Sequence, residues 1–132
     1  MLKKSFGTAL LCAVALSLSG CGGDTHESVA KEMIAQMKAM TDALKSVKDK
    51  DSATAQASTF KSIGEKLKEI KARGDKLPKL SAEEEKALED KLKGEMEPIM
   101  KDLMTEMFRV GSLGPEVQAE LKSAMESLQS LD

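Results

Sequence analysis

From Val29 onward, apolar residues recur every three or four positions along the chain. That spacing makes one apolar stripe on an α-helix and no consistent face on a strand. It restricts the chain to amphipathic helices that must bury their stripes against one another. The residues between the stripe positions agree with this. They are mostly Ala, Lys, Glu, Leu and Met, which lose little freedom in a helix.

The first helix is predicted to start near Thr25, with Asp24 as its cap and Glu27 three residues on as the other half of a capping box. Its stripe is Val29, Met33, Met37, Met40, Leu44 and Val47, and the charged run Lys48-Asp49-Lys50-Asp51 ends it. The second is predicted to open at Asp51 or Ser52, both good caps. It buries Ala57, Phe60, Ile63, Leu67 and Ile70, then stops at Gly74 after a basic last turn. Asp75 to Leu80, containing Pro78, reads as a loop. Ser81 and Glu84 then form a capping box for the third helix.

The stripe of the third helix is Leu88, Leu92, Met96, Ile99, Leu103, Met107 and Val110. Pro98 removes the hydrogen bond to the carbonyl of Gly94, but the stripe keeps its phase across it, which predicts a kink rather than a break. Gly111 to Gly114 forms the last turn. Pro115 suits the first position of a fourth helix, where its missing N–H costs nothing, and Val117, Leu121, Met125 and Leu128 follow as the stripe. Short connections favour antiparallel neighbours, so the expected fold is all-α, an up-down four-helix bundle. The alternative is a three-helix bundle with the fourth helix loosely docked.

The start of the chain is built differently. Lys3 and Lys4 precede an apolar run from Phe6 to Leu18. A membrane span needs about 20 apolar residues to cross about 30 Å of hydrocarbon, so this run is too short. A charged start, a short apolar middle and a small-residue exit are the parts of a secretory signal. The exit, Leu18-Ser19-Gly20-Cys21, resembles the lipobox of bacterial lipoproteins. The resemblance implies a diacylglycerol on the Cys21 sulfur, cleavage before Cys21, and an acyl chain such as palmitate on the new amino group. The chain then divides into a signal peptide over 1–20, a lipidated tether over 21–24 and a helical domain over 25–132.

Each buried methylene contributes about 0.8 kcal/mol, so two or three acyl chains hold a protein at a membrane without a transmembrane helix. Gly22, Gly23 and Asp24 reach on the order of 10 Å, which keeps the domain beside the bilayer. In Gram-negative lipoproteins, Asp after the lipidated Cys directs retention in the inner membrane. Gly22 in that place implies the periplasmic face of the outer membrane in such a host, and the outer face of the cell membrane otherwise.

Composition removes several function classes. Loss of residues 1–20 from the 132 leaves 112, enough for one domain with a modest core. Without Lys3 and Lys4 there are 18 basic residues against 22 acidic, a net of about −4 with no basic cluster, so no nucleic-acid partner is expected. Cys12 leaves with the signal and Cys21 carries lipid, so no thiol remains for redox, thiolate-metal or nucleophilic chemistry. Phe60 and Phe108 are the only aromatic residues after the signal, which serves base or cofactor stacking poorly.

The remaining candidates are few. His26 is the only histidine and lies in the first helical turn, where solvation is its expected state. Glu83, Glu84, Glu85, Glu89, Glu95 and Glu97 fall mostly on the polar face of the third helix, without the contrast of environments that an acid–base pair needs. Methionine is abundant. Met37, Met40, Met96 and Met100 would meet at mid-height if helices one and three ran parallel, since Met40 and Met96 each lie about 22 Å from their helix starts. Thioethers suit Cu(I). They also fill irregular cores, which needs no ligand.

The segment Met37-Lys38-Ala39-Met40-Thr41-Asp42-Ala43-Leu44-Lys45 resembles the cytochrome b562 family of exported four-helix bundles. In that family haem is held by a methionine of the first helix, matched by Met37, and a histidine near the end of the fourth. Residues 115–132 contain no histidine, and His26 lies about 16 Å from Met37 along the same helix. The resemblance therefore implies the architecture without the haem, and no cofactor is expected. The sequence points to a lipid-tethered, non-catalytic interaction or structural module of the cell envelope. It would present a polar helical face, or its last helix, to another envelope protein. The alternative is binding of Cu(I) or a small apolar ligand through the methionine-rich core.

Overall fold

The first backbone N–H groups of a helix have no partner inside it, and a side chain just before the helix supplies one. Three helices here begin that way. In the computed structural model, which describes residues 23–129, with backbone alone at 123–125 and 127–129, Thr25 accepts from the Ser28 N–H, Asp49 from that of Ser52 and Ser81 from that of Glu84. The side chains of Ser28, Ser52 and Glu84 each accept from the cap's own N–H, completing three capping boxes. The resulting elements are α1 (His26–Ser46), α2 (Lys50–Gly74), α3 (Ala82–Gly111) and α4 (Pro115–Gln129). The described chain is all-α, with four helices and no strand. The predicted signal peptide, Cys21 and Gly22 lie outside the described residues, as do the side chains of Met125 and Leu128.

The cap at Ser81, the stop at Gly74 and the start at Pro115 fall where the sequence predicts them. Two starts differ. The cap of α1 is Thr25 rather than Asp24, and its partner is Ser28 because Glu27 turns outward to Lys31 and Lys91. The cap of α2 is Asp49 rather than Asp51 or Ser52. From Asp49, the Ser52 hydroxyl and N–H are both within reach, and one box is completed. Hydrogen bonding by Ser52 holds the Asp49 carboxyl below the usual carboxylate range.

The core joins Met40, Ala43, Leu44 and Val47 to Ala53, Phe60, Ile63 and Leu67, and is closed by Val110, Val117 and Leu121. The tight α1–α2 turn places these two helices side by side and antiparallel. Gly74 allows a close approach, since a Cβ there would sit 3.3 Å from Val29 Cγ1. α3 packs on α1 and not on α2, although the Asp75–Ser81 segment joins it to α2. Ion pairs from Lys91 to Glu27 and from Lys45 to Asp102 fix it parallel to α1. α3 runs on through Pro98 to Gly111. Gly114, with φ of 112°, makes the turn that a side chain would strain, and α4 then lies along α2. The backbone of α4 stays close to α2, approaches α3 only weakly, and meets α1 through side chains of the shared core alone.

Candidate functional site

α3 has 30 residues and α4 has 15, or about 45 Å against about 22 Å. The shorter helix, packed on α2, leaves one side of α3 without a neighbour among the described residues. At about 100° per residue, Met100, Met104, Met107 and Phe108 fall together on that side, next to the face that packs on α1. They are 39, 54, 47 and 76% exposed. The sequence places Met107 in the buried stripe. It is corrected here to the surface, because burial at that angle requires α4 to cover α3. Leu92 and Val110 are the buried members of the stripe, with Leu88, Met96, Ile99 and Leu103 half-buried.

At its far end the exposed stripe runs into a cleft of about 330 Å³. Leu44 and Val110 floor it, Met107 and Gly111 form one wall, and Gln118, Leu121 and Lys122 of α4 form the other. Arg109 fixes the adjoining end of α3. Its guanidinium donates to the carbonyls of Val47 at 2.8 Å and Leu44 at 2.6 Å, and to Glu106 at 2.7 Å. The Leu44 carbonyl already accepts from the Val47 N–H at 3.0 Å, and this cation adds a second donor to it, supplies one to the Val47 carbonyl just past the helix end, and suits the helix dipole.

The opposite end of the molecule, where the chain emerges from Gly23, is tied by polar groups. Arg73 donates to Asp24 at 2.9 Å and pairs with Glu32. Glu27 accepts from Lys31 at 2.8 Å and Lys91 at 2.6 Å, and these two lysines lower its pKa to about 2. His26 Nε2 donates to the Pro78 carbonyl at 2.7 Å, joining α1 to the loop before α3. The sole histidine is thus a tie between elements.

The four methionines proposed for Cu(I) occupy different surroundings. Met40 is in the core at 8% exposure, Met37 and Met96 are half-buried, and Met100 is on the exposed stripe. Among the described residues, no three His, Cys, Asp or Glu side chains converge on a metal-sized site. No described helix is long and apolar enough to cross a membrane. The carboxylates of the α3 start serve the helix itself. Glu84 closes the capping box, and the Ser81 N–H holds its pKa below the ordinary value. The sequence reading missed Met104 and Phe108 as surface residues of interest. Their spacing from Met100 and Met107 was the available signal. The chain matches no protein-family model, and no curated protein or solved structure is significantly similar to it.

Proposed function

We propose that the protein is a lipid-anchored, non-catalytic docking module of the bacterial envelope, held through Cys21 and receiving a partner on the outer face of α3. The occupant is an amphipathic helix of another envelope protein. The observation that carries this reading is the row Met100, Met104, Met107 and Phe108, apolar and exposed beside a cleft. Soluble surfaces seldom leave contiguous apolar side chains uncovered unless something binds there. A row about two turns long beside a shorter α4 has the dimensions of a missing helix. Methionine also adapts its shape to a partner surface. Lys101 on the outer edge of the row and Lys122 on the cleft wall favour an acidic margin on that helix.

The location fits a tethered module. Lys91 is level with Glu27, close to the tether. Met100 to Phe108 then lie about 13 to 26 Å further along α3, beyond the reach of the short linker to the bilayer. Copper binding by Met37, Met40, Met96 and Met100 is the weaker reading, because it needs a core thioether and a surface thioether on one ion.

A photoreactive residue at position 104 tests the proposal in living cells, with position 68 on the polar side of α2 as control. A discrete adduct from position 104, absent from 68 and lost in Cys21→Ser cells, is expected. Equal adduct patterns from both positions would contradict it.

A further inference from the structure

The two faces of α3 differ in what an oxidant can do to them. The face against α1 carries Leu88, Leu92, Ile99, Leu103 and Val110, whose hydrocarbon side chains resist mild oxidants, and one thioether, Met96, half-buried among them. The outer face carries Met100, Met104 and Met107, the three exposed thioethers among the described side chains. Residues 23–132 contain no cysteine, tryptophan or tyrosine, so thioethers are the most readily oxidised groups in that stretch. Met40, sealed in the core, is shielded within the same chain.

We propose that Met100, Met104 and Met107 form an oxidation site, modified by two-electron oxygen donors of the peroxide or hypohalous-acid class, and that this modification closes the outer face of α3. The regulatory half rests on the docking reading above. With hydrogen peroxide, a sulfur lone pair attacks one peroxide oxygen. The O–O bond breaks and an S–O bond forms. The departing hydroxide takes the proton of the transferred hydroxyl and leaves as water. Sulfur loses two electrons and the peroxide gains them. The product is a sulfoxide, a polar and chiral group that methionine sulfoxide reductases can reverse. Three sulfoxides in a row put hydrated dipoles where a partner needs apolar contact. The inner face offers a single half-buried thioether, Met96, among aliphatic side chains that do not react, so α3 keeps its place on α1.

The test exposes cells carrying the lipidated full chain to graded hydrogen peroxide. Oxygen uptake at each methionine is mapped by mass spectrometry, and adduct yield from a photoreactive residue at position 108 is followed in parallel. Met100, Met104 and Met107 are expected to oxidise at least about tenfold faster than Met40. Adduct yield is expected to fall at least about fivefold as they do so, and to persist in M100L/M104L/M107L. Oxidation of Met40 at the same rate as the three overturns the site. Equal loss of adduct in the leucine variant overturns the regulation. Absence of any adduct before oxidant is added defeats the docking reading instead, and with it the regulation, while the mapping alone decides the oxidation site.

Discussion

The inner and outer faces of α3 lie side by side on one helix and are built from different side chains. The inner face is aliphatic and branched except for the half-buried Met96, ends at the buried Val110, and is locked by Arg109 to the end of α1. The outer face is methionine and phenylalanine, with Met104 and Phe108 more than half exposed among the described residues. The two phenylalanines of the helical region mark the same division, Phe60 at 1% exposure in the core and Phe108 at 76% on the outer face. Branched side chains with few rotamers specify one packing, while flexible thioethers accept several. The difference teaches that apolar residues at helical spacing serve two purposes here, and that one set is surplus to the fold.

The comparison breaks first at the core. Phe60→Ala is expected to cost about 3–5 kcal/mol, a large share of the roughly 5–15 kcal/mol that holds a small domain. Urea unfolding followed by helicity measures it, and a loss below about 1 kcal/mol would place Phe60 outside the main core. Arg109→Ala tests the lock between α3 and α1. Removing two charged hydrogen bonds, and with them the Arg109 donor to the Val47 carbonyl, is expected to cost about 2 kcal/mol. The accompanying mark is faster amide exchange in the last turn of α3.

A smaller effect sharpens the opposite end of the same contact, near Gly23. Glu27 titrates near 2, well below the ordinary 4.5, because Lys31 and Lys91 favour its charged form. The unfolded chain therefore takes up this proton first. The stability from Glu27 is complete above about pH 4.5 and is lost as pH falls toward 2. Glu27→Gln should be less stable than the parent at neutral pH, with the gap narrowing across that window. A gap that stays constant down to pH 2 would mean that the ion pair contributes nothing.

Much of this arrangement was legible in the sequence wherever one local rule had one candidate. Ser81 with Glu84, Gly74 before a loop and Pro115 after Gly114 each stood alone, and each predicted boundary agrees. Where several polar residues competed, as at Asp24, Thr25, Asp49, Asp51 and Ser52, local spacing did not choose among them. The choice depended on which side chains were drawn off to other helices, as Glu27 is to Lys91. Loop length indicated that α3 follows α2 closely, but not that α3 would pack on α1 instead. The exposed stripe was hidden for a related reason. Periodicity puts Met107 within reach of burial, and whether it is covered depends on the length and course of α4. Ile34, buried, lies off the α1 stripe, whereas Ala53, also buried, continues the α2 stripe seven residues before Phe60, in the turn next to the cap that spacing misplaced.

The division between a folding face and a docking face is tested most directly by the thermal unfolding midpoint of Met104→Gln/Phe108→Gln. A midpoint within about 3 °C of the parent is expected, since surface changes stay near 0.5 kcal/mol and 1 kcal/mol moves a small domain by roughly 4–8 °C. A fall as large as that of Phe60→Ala would show that the outer face of α3 is part of the core, and would remove the basis for docking there.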